Sequence, residues 1–561
     1  MSVVPSALSA DNPVTEGDVH DAVAKLGFRV RDDEVDAFRT LLAAAHDTFE
    51  ELSKLEEYHP PSHPERSPCE NVRPGTVDND LGSPWAYRFK LGPLTSTTTP
   101  SSTGTKCGSL LAGKTIVLKD NICVAGIPQS NGTNATPSWI PQMDATVVTR
   151  ILGAGGRIVG TATCEALSCA TVSNTAAVGP IFNPWAKGYS AGGSSSGVAA
   201  LVGSQKSFDD NGMPVKVDMG LGADQRGSIR VPAAFCGLVG LKATFGLIPY
   251  TGVISCEPVL DHVGPMCTSV WDTALLLEAI AGKDGFDDRQ MNAHELGEIK
   301  YSSNLREWYR KVVNPPGSKP LAGMRLAVIT EAIDAPFVDE TIKREVADVS
   351  KQLESLGASV TEVSIPCHIT ARSLWMGVCR QSLTSVALGN PHGRRCYYPP
   401  GFQATIIPWT QDKWDNLPPG MRNEFINGVY EREKYPNLYQ KCMNLTLKVT
   451  QEYEKVFKDV DALVLPSVPW TAPKLFDRET ATSMDQISST FGQTLNTMQF
   501  NLTGHPAMSI PTGLAKDKTK SSDHLLPLSV QLVARLHGEE TLLRIGYAYE
   551  KAFDWKSRFC E

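Results

Sequence analysis

One lysine and two serine-rich segments are the residues of this chain whose types and spacing could do chemistry. Lys119 ends the apolar run "TIVLKD", and the serines lie in "YSAGGSSSGVAALVG" (189–203) and "GLGADQRGSIRVPAAFCGLVGLK" (220–242). A serine hydroxyl is a poor nucleophile until a base takes its proton. A lysine buried at the end of a strand can have its pKa lowered by desolvation and act as a neutral base. The sequence therefore offers Lys119 as the base for a serine nucleophile.

The eleven histidines are the alternative source of a base. None stands in a glycine-rich turn, and His262, His392 and His505 lie beside prolines or glycines in "DHVGP", "NPHG" and "TGHPA". Each of the three is better explained as a structural or solvated side chain than as a catalytic one. Lys119 remains the preferred base.

Residues 108–115, "GSLLAGKT", match the nucleotide-phosphate pattern G-x-x-x-x-G-K-[ST] letter for letter. That pattern works only when a buried strand precedes it and a helix begins at its Lys-Thr pair. In this chain a run of Thr, Ser and Pro precedes the pattern, and the apolar residues 116–118 that follow it predict a strand. We therefore predict a loop that enters a strand, with Lys114 as an ordinary surface lysine.

Residues 193–197 also match a pattern, the G-x-S-x-G nucleophile elbow of α/β-hydrolases. The elbow needs a hydrophobic strand immediately before it, whereas "FNPWAKGYSAGG" reads as a loop rich in proline and glycine. A helix is predicted to follow from Ser196. The elbow is rejected, and with it Ser195 as the nucleophile.

The composition is that of a soluble globular protein. Of 561 residues, 41% are hydrophobic and 20% are charged, and the formal net charge is −8, which gives no electrostatic case for nucleic acid or anionic membrane. No apolar run approaches the roughly 20 residues that span a bilayer, and the N-terminus does not resemble a secretory signal. The 13 cysteines lack any C-x-x-C spacing, so we expect free thiols in a cytoplasmic protein. The four N-x-[ST] sequons are then without consequence.

The order of the predicted elements indicates an α/β fold with a helical N-terminal segment. Residues 16–58 carry apolar residues at helical spacing, and residues 59–105 read as a connector in which "PWAYRFK" docks somewhere. From about residue 106, short β-branched runs alternate with amphipathic helices, which predicts helices packed on a central sheet. Residues 370–450 are predicted to be helical and to form a cap.

Three motifs in this order carry a family resemblance. "VLKD" with Lys119, "AGGSSSG" with Ser194 and "GADQRGSIRVPAAFCGLVGLK" with Ser228 resemble the amidase signature family of Ser-cisSer-Lys amide hydrolases. The likeness extends over most of residues 106–561. It is strongest toward the nitrile-hydratase-associated amidases and their fungal relatives, which have a helical N-terminal domain that helps to form a homodimer.

The resemblance implies a fold and a domain organisation. The fold class would be α/β, with a central mixed β-sheet covered by helices and a helical N-terminal domain. Residues 1–95 would form that domain and its connector. Residues 96–561 would form the catalytic domain, with the helical cap inserted around 370–450.

The resemblance also implies a mechanism that needs no metal or cofactor. Ser228 would be the nucleophile, Ser194 the bridging serine held through a cis peptide, and Lys119 the neutral base. Ser195 and Asp224 would be supporting residues, Ser195 by steadying the Lys119–Ser194 pair through hydrogen bonding. The oxyanion hole would be formed by the backbone N–H groups of Gln225, Arg226, Gly227 and Ser228.

Arg226 departs from the resemblance, because the family usually has glycine, sometimes alanine, at this position. A glycine there could reflect a positive φ or close approach of the substrate. The arginine could point away without effect, narrow the acyl pocket, or supply a cation for an acidic substrate. These three alternatives stay open at the level of sequence.

The function implied is hydrolysis of a small-molecule amide to a carboxylic acid and ammonia or an amine. Esters and carbamates share the same acyl-enzyme route. The first alternative is an amidotransferase subunit that passes ammonia from glutamine to a partner, and the second is a non-catalytic binding protein on an amidase scaffold. Possession of Lys119, Ser194 and Ser228 together argues against the second alternative.

Overall fold

The computed structural model describes residues 8–60, 63, 65–94, 109–204, 216–313, 317–390, 394–517 and 523–560. The chain forms two compact units, Met1–Pro61 and Ser62–Glu561. The sequence predicts a domain boundary later, between residues 95 and 96. Two strands of the central sheet lie between these positions, which is why the structure divides the chain earlier.

The first unit is helical, as the apolar spacing predicts. It contains α1 (Glu16–Lys25) and α2 (Val35–Ser53). A capping box built on Thr15 starts α1 by satisfying backbone N–H groups that have no partner within the helix. On α2, Phe38 is 43% exposed and Phe49 is 62% exposed. The helix therefore carries large apolar side chains that are exposed to solvent.

The second unit combines strands and helices throughout. Its strands are β1 (Glu70–Pro74), β2 (Trp85–Leu91), β3 (Thr115–Lys119), β4 (Arg157–Ala162), β5 (Phe182–Asn183), β6 (Ala186–Ser190), β7 (Met219–Asp224), β8 (Val239–Lys242), β9 (His262–Cys267), β10 (Arg325–Ile329), β11 (Ser359–Val363), β12 (Ala462–Pro466), β13 (Ala507–Lys516) and β14 (Leu525–Val533). Its helices are α3 (Thr146–Gly153), α4 (Ser196–Ser204), α5 (Arg230–Cys236), α6 (Val270–Ile280), α7 (Tyr301–Val313), α8 (Thr330–Ile333), α9 (Glu340–Ser355), α10 (Cys367–Ala387), α11 (Pro400–Ile406), α12 (Gln411–Asp415), α13 (Pro419–Lys434), α14 (Leu438–Val456), α15 (Ser483–Ser488), α16 (Met498–Thr503) and α17 (Glu539–Ala552).

Within the described residues, this unit has a central sheet of 12 strands, in the order β1-β2-β4-β3-β7-β9-β8-β13-β14-β12-β10-β11, and a separate two-stranded sheet of β5 and β6. β3 pairs in parallel with β4 and β7, and β10 pairs in parallel with β11 and β12. The other neighbouring strands are antiparallel. The mixed sheet covered by helices confirms the predicted fold class.

β3 shows why the sheet is buried on both faces. Ile116, Val117 and Leu118 are all fully buried. Successive residues of a strand point to opposite faces, so Val117 packs with Val198 of α4 while its two neighbours pack with Ile151 of α3. Because helices cover both faces, the strand reads as a continuous apolar run instead of an alternating one.

Five strands and three long helices lie where the sequence predicts them. The strands are β3, β4, β10, β11 and β12, and the helices are α3, α6 and α9. The predicted connector 59–105 differs, because it contributes β1 and β2 to the sheet. The stretch "PWAYRFK" does dock, as expected: it forms β2, pairs with β4 and buries Trp85.

The phosphate-loop pattern lies in the context that the sequence predicts. Gly108 is outside the described residues, but the strand β3 begins at Thr115, where a phosphate loop would need a helix. Lys114 Nζ donates a hydrogen bond to Asp272 Oδ1 at 2.8 Å. The lysine of this motif therefore pairs with a carboxylate of the protein itself.

Residues 367–456 are largely helical and hold α10 to α14. This agrees with the helical structure predicted around 370–450, while its role as a cap stays a prediction. α10 packs against α13 and α14 through residues such as Val378 and Cys442. This arrangement brings Trp375 of α10 and Glu424 of α13 to one pocket.

Candidate active site

Three backbone segments meet at one edge of the central sheet. β3 and β7 are parallel, with Leu118 opposite Leu221, so their carboxyl ends lie at the same edge. Lys119 ends β3, and Asp224 ends β7. The loop before α4 contributes the third segment, and the Ser195 N–H ties it to the β7 loop by donating to the Ser228 carbonyl at 3.3 Å. Residues far apart in the sequence are thereby brought together.

The first contact of the site joins Lys119 and Ser194. Lys119 Nζ lies 2.7 Å from Ser194 Oγ and donates to the Ala223 carbonyl at 3.4 Å. Both side chains are fully buried. The peptide bond between Gly193 and Ser194 is cis, as the family resemblance implies. The amine is thus within hydrogen-bond distance of a serine hydroxyl in a site closed to bulk water.

Burial lowers the pKa of Lys119 below its ordinary value of 10.5, although nearby thiols and Asp224 act against this shift. The cause is desolvation, which disfavours the charged ammonium form. The neighbouring Asp120 could oppose the shift if it faced the amine, but its carboxyl accepts hydrogen bonds from the Ser130 hydroxyl and N–H instead. Burial raises the pKa of Asp120 to about 7. The site therefore favours a neutral amine.

Ser195 is buried against the backbone of β7. Its Oγ donates to the Ala223 carbonyl and accepts from the Ala223 N–H, both at 3.3 Å. The predicted support of the Lys119–Ser194 pair is therefore indirect, because it passes through the same Ala223 carbonyl that Lys119 contacts. Ser195 is fully buried, and both hydrogen bonds of its hydroxyl are made to the backbone of Ala223. The short strand β6 does precede this segment, but it belongs to a separate two-stranded sheet.

A buried ion pair organises the loop that carries Ser228. Arg230 donates to both carboxylate oxygens of Asp224 at 3.0 Å, and both side chains are inaccessible to solvent. Burial alone would raise the pKa of Asp224, but the Arg230 guanidinium and the hydrogen bonds from Asn501 hold it well below its usual range. The supporting role predicted for Asp224 is thus the positioning of its own loop.

The predicted oxyanion loop is partly occupied by this network. The Gly227 N–H donates to Asp224 Oδ1 at 2.6 Å, so it is engaged inside the protein. Gln225, Arg226 and Ser228 remain the candidate donors toward a substrate oxygen. Gly227 has a φ of +137°, and an added Cβ would lie 2.5 Å from Thr497 Oγ1. Glycine is required at position 227, whereas position 226 accepts a side chain.

Sequence reasoning missed several residues that hold the site. Glu165 accepts from the Ser196 hydroxyl at 2.7 Å, and its N–H donates to the Ser194 carbonyl at 3.1 Å. Asn501, which the sequence presents as a sequon, is fully buried and bonds both Asp224 and Arg230. No local pattern in the sequence marks either Glu165 or Asn501 as part of the site.

A small pocket opens beside Ser228. Its walls come from the loop of residues 168–169, the Ser228 loop, Cys256 and two helices of the 367–456 region. Arg226 lies inside it, with its guanidinium 5.5 Å from the centre of the Trp375 ring and 3.9 Å from Glu424. Of the three alternatives for Arg226, the side chain therefore does not point away from the pocket, and the narrowed acyl pocket and the cation for an acidic substrate remain.

A larger cavity of about 580 Å³ adjoins this pocket. Its walls are mainly apolar and aromatic, with Tyr250, Tyr398 and Phe402 among them. Ser255 lines the larger cavity and Cys256 lines the smaller pocket, so one backbone segment separates the two. Cavities of this size accommodate drug-sized molecules.

The histidines His262 and His505 contact groups other than the three proposed catalytic residues. His262 lies beside the Asp224 network, with its Nδ1 2.7 Å from the Leu260 carbonyl oxygen and 3.4 Å from the Asn501 amide nitrogen, and His505 contacts Thr503 and Glu454. His392 lies outside the described residues. Within the described ranges, no group of three or more His, Cys, Asp or Glu side chains is arranged to hold a metal ion.

Comparisons with known proteins identify the family of this chain. A sequence model of the amidase family matches residues 96–543. The chain is 33% identical over 493 residues to an enantioselective amidase of Rhodococcus rhodochrous, covering 86% of this chain and 87% of that one. It is also 30% identical over 460 residues to one subunit of the glutamyl-tRNA(Gln) amidotransferase of Cyanothece sp. (strain PCC 7425 / ATCC 29141), covering 82% and 87%.

A solved structure of a related protein has a similar fold. The corresponding subunit of the glutamyl-tRNA(Gln) amidotransferase of Thermotoga maritima has a TM-score of 0.60 and 27% identity, covering 78% of this chain and 83% of that one. The chain therefore belongs to the amidase family. In the part of the chain that the structure describes, no helix is long and apolar enough to cross a membrane.

The buried ion pair leads to a stability prediction. Asp224→Asn leaves the Arg230 guanidinium buried without a compensating charge, so we expect a loss of about 3–5 kcal/mol in the free energy of unfolding. Urea denaturation followed by circular dichroism measures this loss. The matched control is Glu307→Gln, which breaks the solvent-exposed pair with Lys311 and is expected to leave the midpoint unchanged. An Asp224→Asn protein as stable as the parent contradicts the structural role given to this pair.

Proposed function

We propose that this chain is an amide hydrolase that works through Ser228, Ser194 and Lys119 and an acyl-enzyme intermediate. The observation that carries the proposal is the buried Lys119 amine, 2.7 Å from Ser194 Oγ. The loop that holds Ser194 is tied to the loop that holds Ser228. Membership of the amidase family and the amidase relative support the amide as substrate.

In the first half of the reaction, the neutral Lys119 amine takes a proton from Ser194 while Ser194 takes one from Ser228. The Ser228 oxygen attacks the amide carbonyl, and the N–H groups of Gln225, Arg226 and Ser228 hold the negative oxygen that forms. The proton then returns through Ser194 to the departing nitrogen as the C–N bond breaks. The products are ammonia or an amine and an ester of Ser228 with the acyl group.

In the second half, water attacks the acyl carbon of the Ser228 ester and gives up a proton through Ser194 to Lys119. The bond between the acyl carbon and the Ser228 oxygen then breaks, the proton returns through Ser194 to that oxygen, and the carboxylic acid leaves with Lys119 neutral again. Esters and carbamates enter the same route because they also transfer an acyl or carbamoyl group to Ser228. The chain's own side chains supply every proton transfer in this scheme.

A panel assay tests the proposal directly. The purified full chain is incubated with amides, esters and carbamates, and intact mass spectrometry follows both the products and the mass added to the protein. We expect turnover of at least one amide and an acyl adduct on the enzyme. Absence of turnover and of any adduct across the panel contradicts the proposal and favours a binding protein on an amidase scaffold.

A second candidate is an amidotransferase subunit that takes ammonia from glutamine. The observation in its favour is the 30% identity to the amidotransferase subunit of Cyanothece. Such a protein would need a partner to receive the ammonia, whereas an amidase acts alone. Hydrolysis of simple amides by the purified chain favours the amidase; ammonia release from glutamine alone, with simple amides untouched, favours the amidotransferase.

The assignment of Ser228 predicts the site of covalent labelling. After treatment with a fluorophosphonate, peptide mapping is expected to locate the adduct on Ser228, because it lies at the pocket and follows Gly227 in the signature motif. Ser228→Ala is expected to abolish both the adduct and amide turnover. An adduct on Ser195 would restore the elbow interpretation and overturn the mechanism.

The assignment of Lys119 predicts a pH profile. Only the neutral amine accepts a proton, so amide hydrolysis is expected to rise with pH and level off, with a midpoint below the ordinary lysine value of 10.5. Lys119→Ala is expected to lose about 10²–10⁴-fold in amide turnover and less with activated esters, whose leaving groups need little protonation.

The matched control for this experiment is Lys114→Ala. Lys114 lies five residues earlier and pairs with Asp272. We expect the control to keep the parent rate and the parent pH profile. A Lys119→Ala enzyme that hydrolyses amides at the parent rate with an unchanged profile removes lysine from the mechanism.

We also propose a homodimer in a cytoplasmic setting. The resemblance to amidases with a helical N-terminal domain and the exposed apolar side chains of α2 support the dimer. The free thiols of the described cysteines support a reducing compartment.

Light scattering tests the dimer. We expect the mass of two chains for the parent and of one chain for Phe38→Glu/Phe49→Glu, because the added charges disrupt the apolar surface of α2. The matched control is Met291→Glu, a side chain 85% exposed in the second unit, which is expected to remain dimeric. A monomeric parent defeats the proposal.

A further inference from the structure

Arg226 brings a positive charge into the pocket beside Ser228. Its side chain lines that pocket together with Glu424 and Trp375, and it is 21% exposed. The residue lies two positions before Ser228, so its guanidinium starts from the same loop as the proposed nucleophile. Because Arg226 and Ser228 line the same pocket, a substrate bound at Ser228 lies close to this positive charge.

The guanidinium has donors without acceptors. An arginine presents five N–H donors in a fixed planar arrangement. The Glu424 carboxylate is 3.9 Å away, well beyond the roughly 2.7–2.9 Å of a charge-assisted hydrogen bond. Among the residues that the structure describes, none places an acceptor within hydrogen-bond distance of these N–H groups. A mostly buried donor set of this kind favours an acceptor supplied by a ligand.

The surroundings of the guanidinium are tied to the Ser228 loop. The guanidinium lies over the Trp375 ring, 5.5 Å from the ring centre, and Trp375 Nε1 donates to the Gln225 carbonyl at 2.9 Å. The Arg226 carbonyl accepts from Thr497 Oγ1. Backbone and ring are therefore both anchored to the loop of Ser228, which keeps the cation at a constant place relative to the nucleophile.

The local charge balance is positive. Glu424 lies 3.2 Å from Arg380, closer than to Arg226, so a single carboxylate is shared by two guanidinium groups. Two further carboxyls interact electrostatically with neighbours of this pocket, Glu257 with Cys379 and Glu431 with Arg380. Burial raises the pKa of Glu257 to about 8, and burial raises the pKa of Glu431 to about 7, with Arg380 acting against that rise. Neither carboxyl is therefore fully ionised near neutral pH, so neither fully neutralises the excess positive charge of Arg226 and Arg380.

We propose that Arg226 binds a carboxylate of the substrate, so that this enzyme prefers amides that carry an anionic group. The inference rests on the proposed amide hydrolysis at Ser228 and names its substrate class. Of the alternatives left open by the sequence, it selects the cation for an acidic substrate. Monoamides of short dicarboxylic acids carry the carboxylate on the acyl part, and N-acylglycines carry it on the amine part.

A ratio of rates tests the proposal. For each enzyme, kcat/KM is measured for two series of substrates. The first series compares monoamides of dicarboxylic acids of four to six carbons with linear neutral amides of equal length. The second compares N-acylglycines with the same compounds whose carboxylate is replaced by a neutral amide. We expect the parent to prefer the charged member of at least one series. Arg226→Gln should lower the charged-to-neutral ratio about tenfold, and Arg226→Lys should restore part of it.

Two further variants sharpen the test. Glu424→Gln removes the competing carboxylate and is expected to raise the ratio. Arg422→Gln removes a positive charge from the same helix, α13, at a residue that does not line the pocket, and is expected to leave the ratio unchanged. A general loss of structure lowers both rates together and does not move the ratio.

The outcomes separate the two proposals. Turnover of amides with a ratio that Arg226→Gln does not change overturns the role of Arg226 and leaves the amidase standing. If no amide is turned over, calorimetry on Ser228→Ala still measures binding of the monoamides. Binding that is lost in Ser228→Ala/Arg226→Gln supports the carboxylate site by itself, and equal or absent binding in both proteins overturns it.

Discussion

The burial of a lysine amine at the carboxyl end of β3 is the constraint on which the site depends. Lys119 is fully enclosed, and its polar contacts are the Ser194 hydroxyl and the Ala223 carbonyl. A charged ammonium in such a place would be costly, which is why its pKa is lowered and why a neutral base becomes accessible. The surrounding backbone must then supply polar partners without supplying a counter-charge. The contact of Ser195 with Ala223 is part of that enclosure.

A second buried network sets the loop of Ser228. Asp224 and Arg230 neutralise each other inside the protein, and Asn501 completes their hydrogen bonds. The Gly227 N–H turns toward Asp224, and the neighbouring residues turn toward the pocket. Trp375 connects this loop to α10 through the Gln225 carbonyl. The helices of residues 367–456 therefore contact the Ser228 loop directly, and the Arg226 side chain extends from that loop to Trp375 of α10 and Glu424 of α13.

The sequence predicts the elements whose signal is local. The apolar run of β3 predicts a strand, the glycine-serine segment predicts a loop before α4, and the apolar spacing of α2 predicts a helix. Each prediction depends on neighbouring residues alone, and the predicted fold class is confirmed. The sequence does not reveal β1 and β2, because the pairing partner of β2, the strand β4, lies some seventy residues later than β2 begins. The sequence does not predict the roles of three further residues for the same reason, because their partners are distant along the chain: Glu165, Thr497 and Asn501. The engagement of the Gly227 N–H by Asp224 depends on the same three-dimensional network.

The most direct measurement is the titration of Lys119 itself. The protein is prepared with lysine labelled by ¹³C at Cε, and the resonance of Lys119 is assigned by its loss in Lys119→Ala. The account predicts a chemical shift that titrates with a pKa below the ordinary value of 10.5, with the neutral amine already populated in the pH range of amide hydrolysis. A Lys119 resonance that stays at the position of a charged ammonium up to or beyond that value contradicts the account.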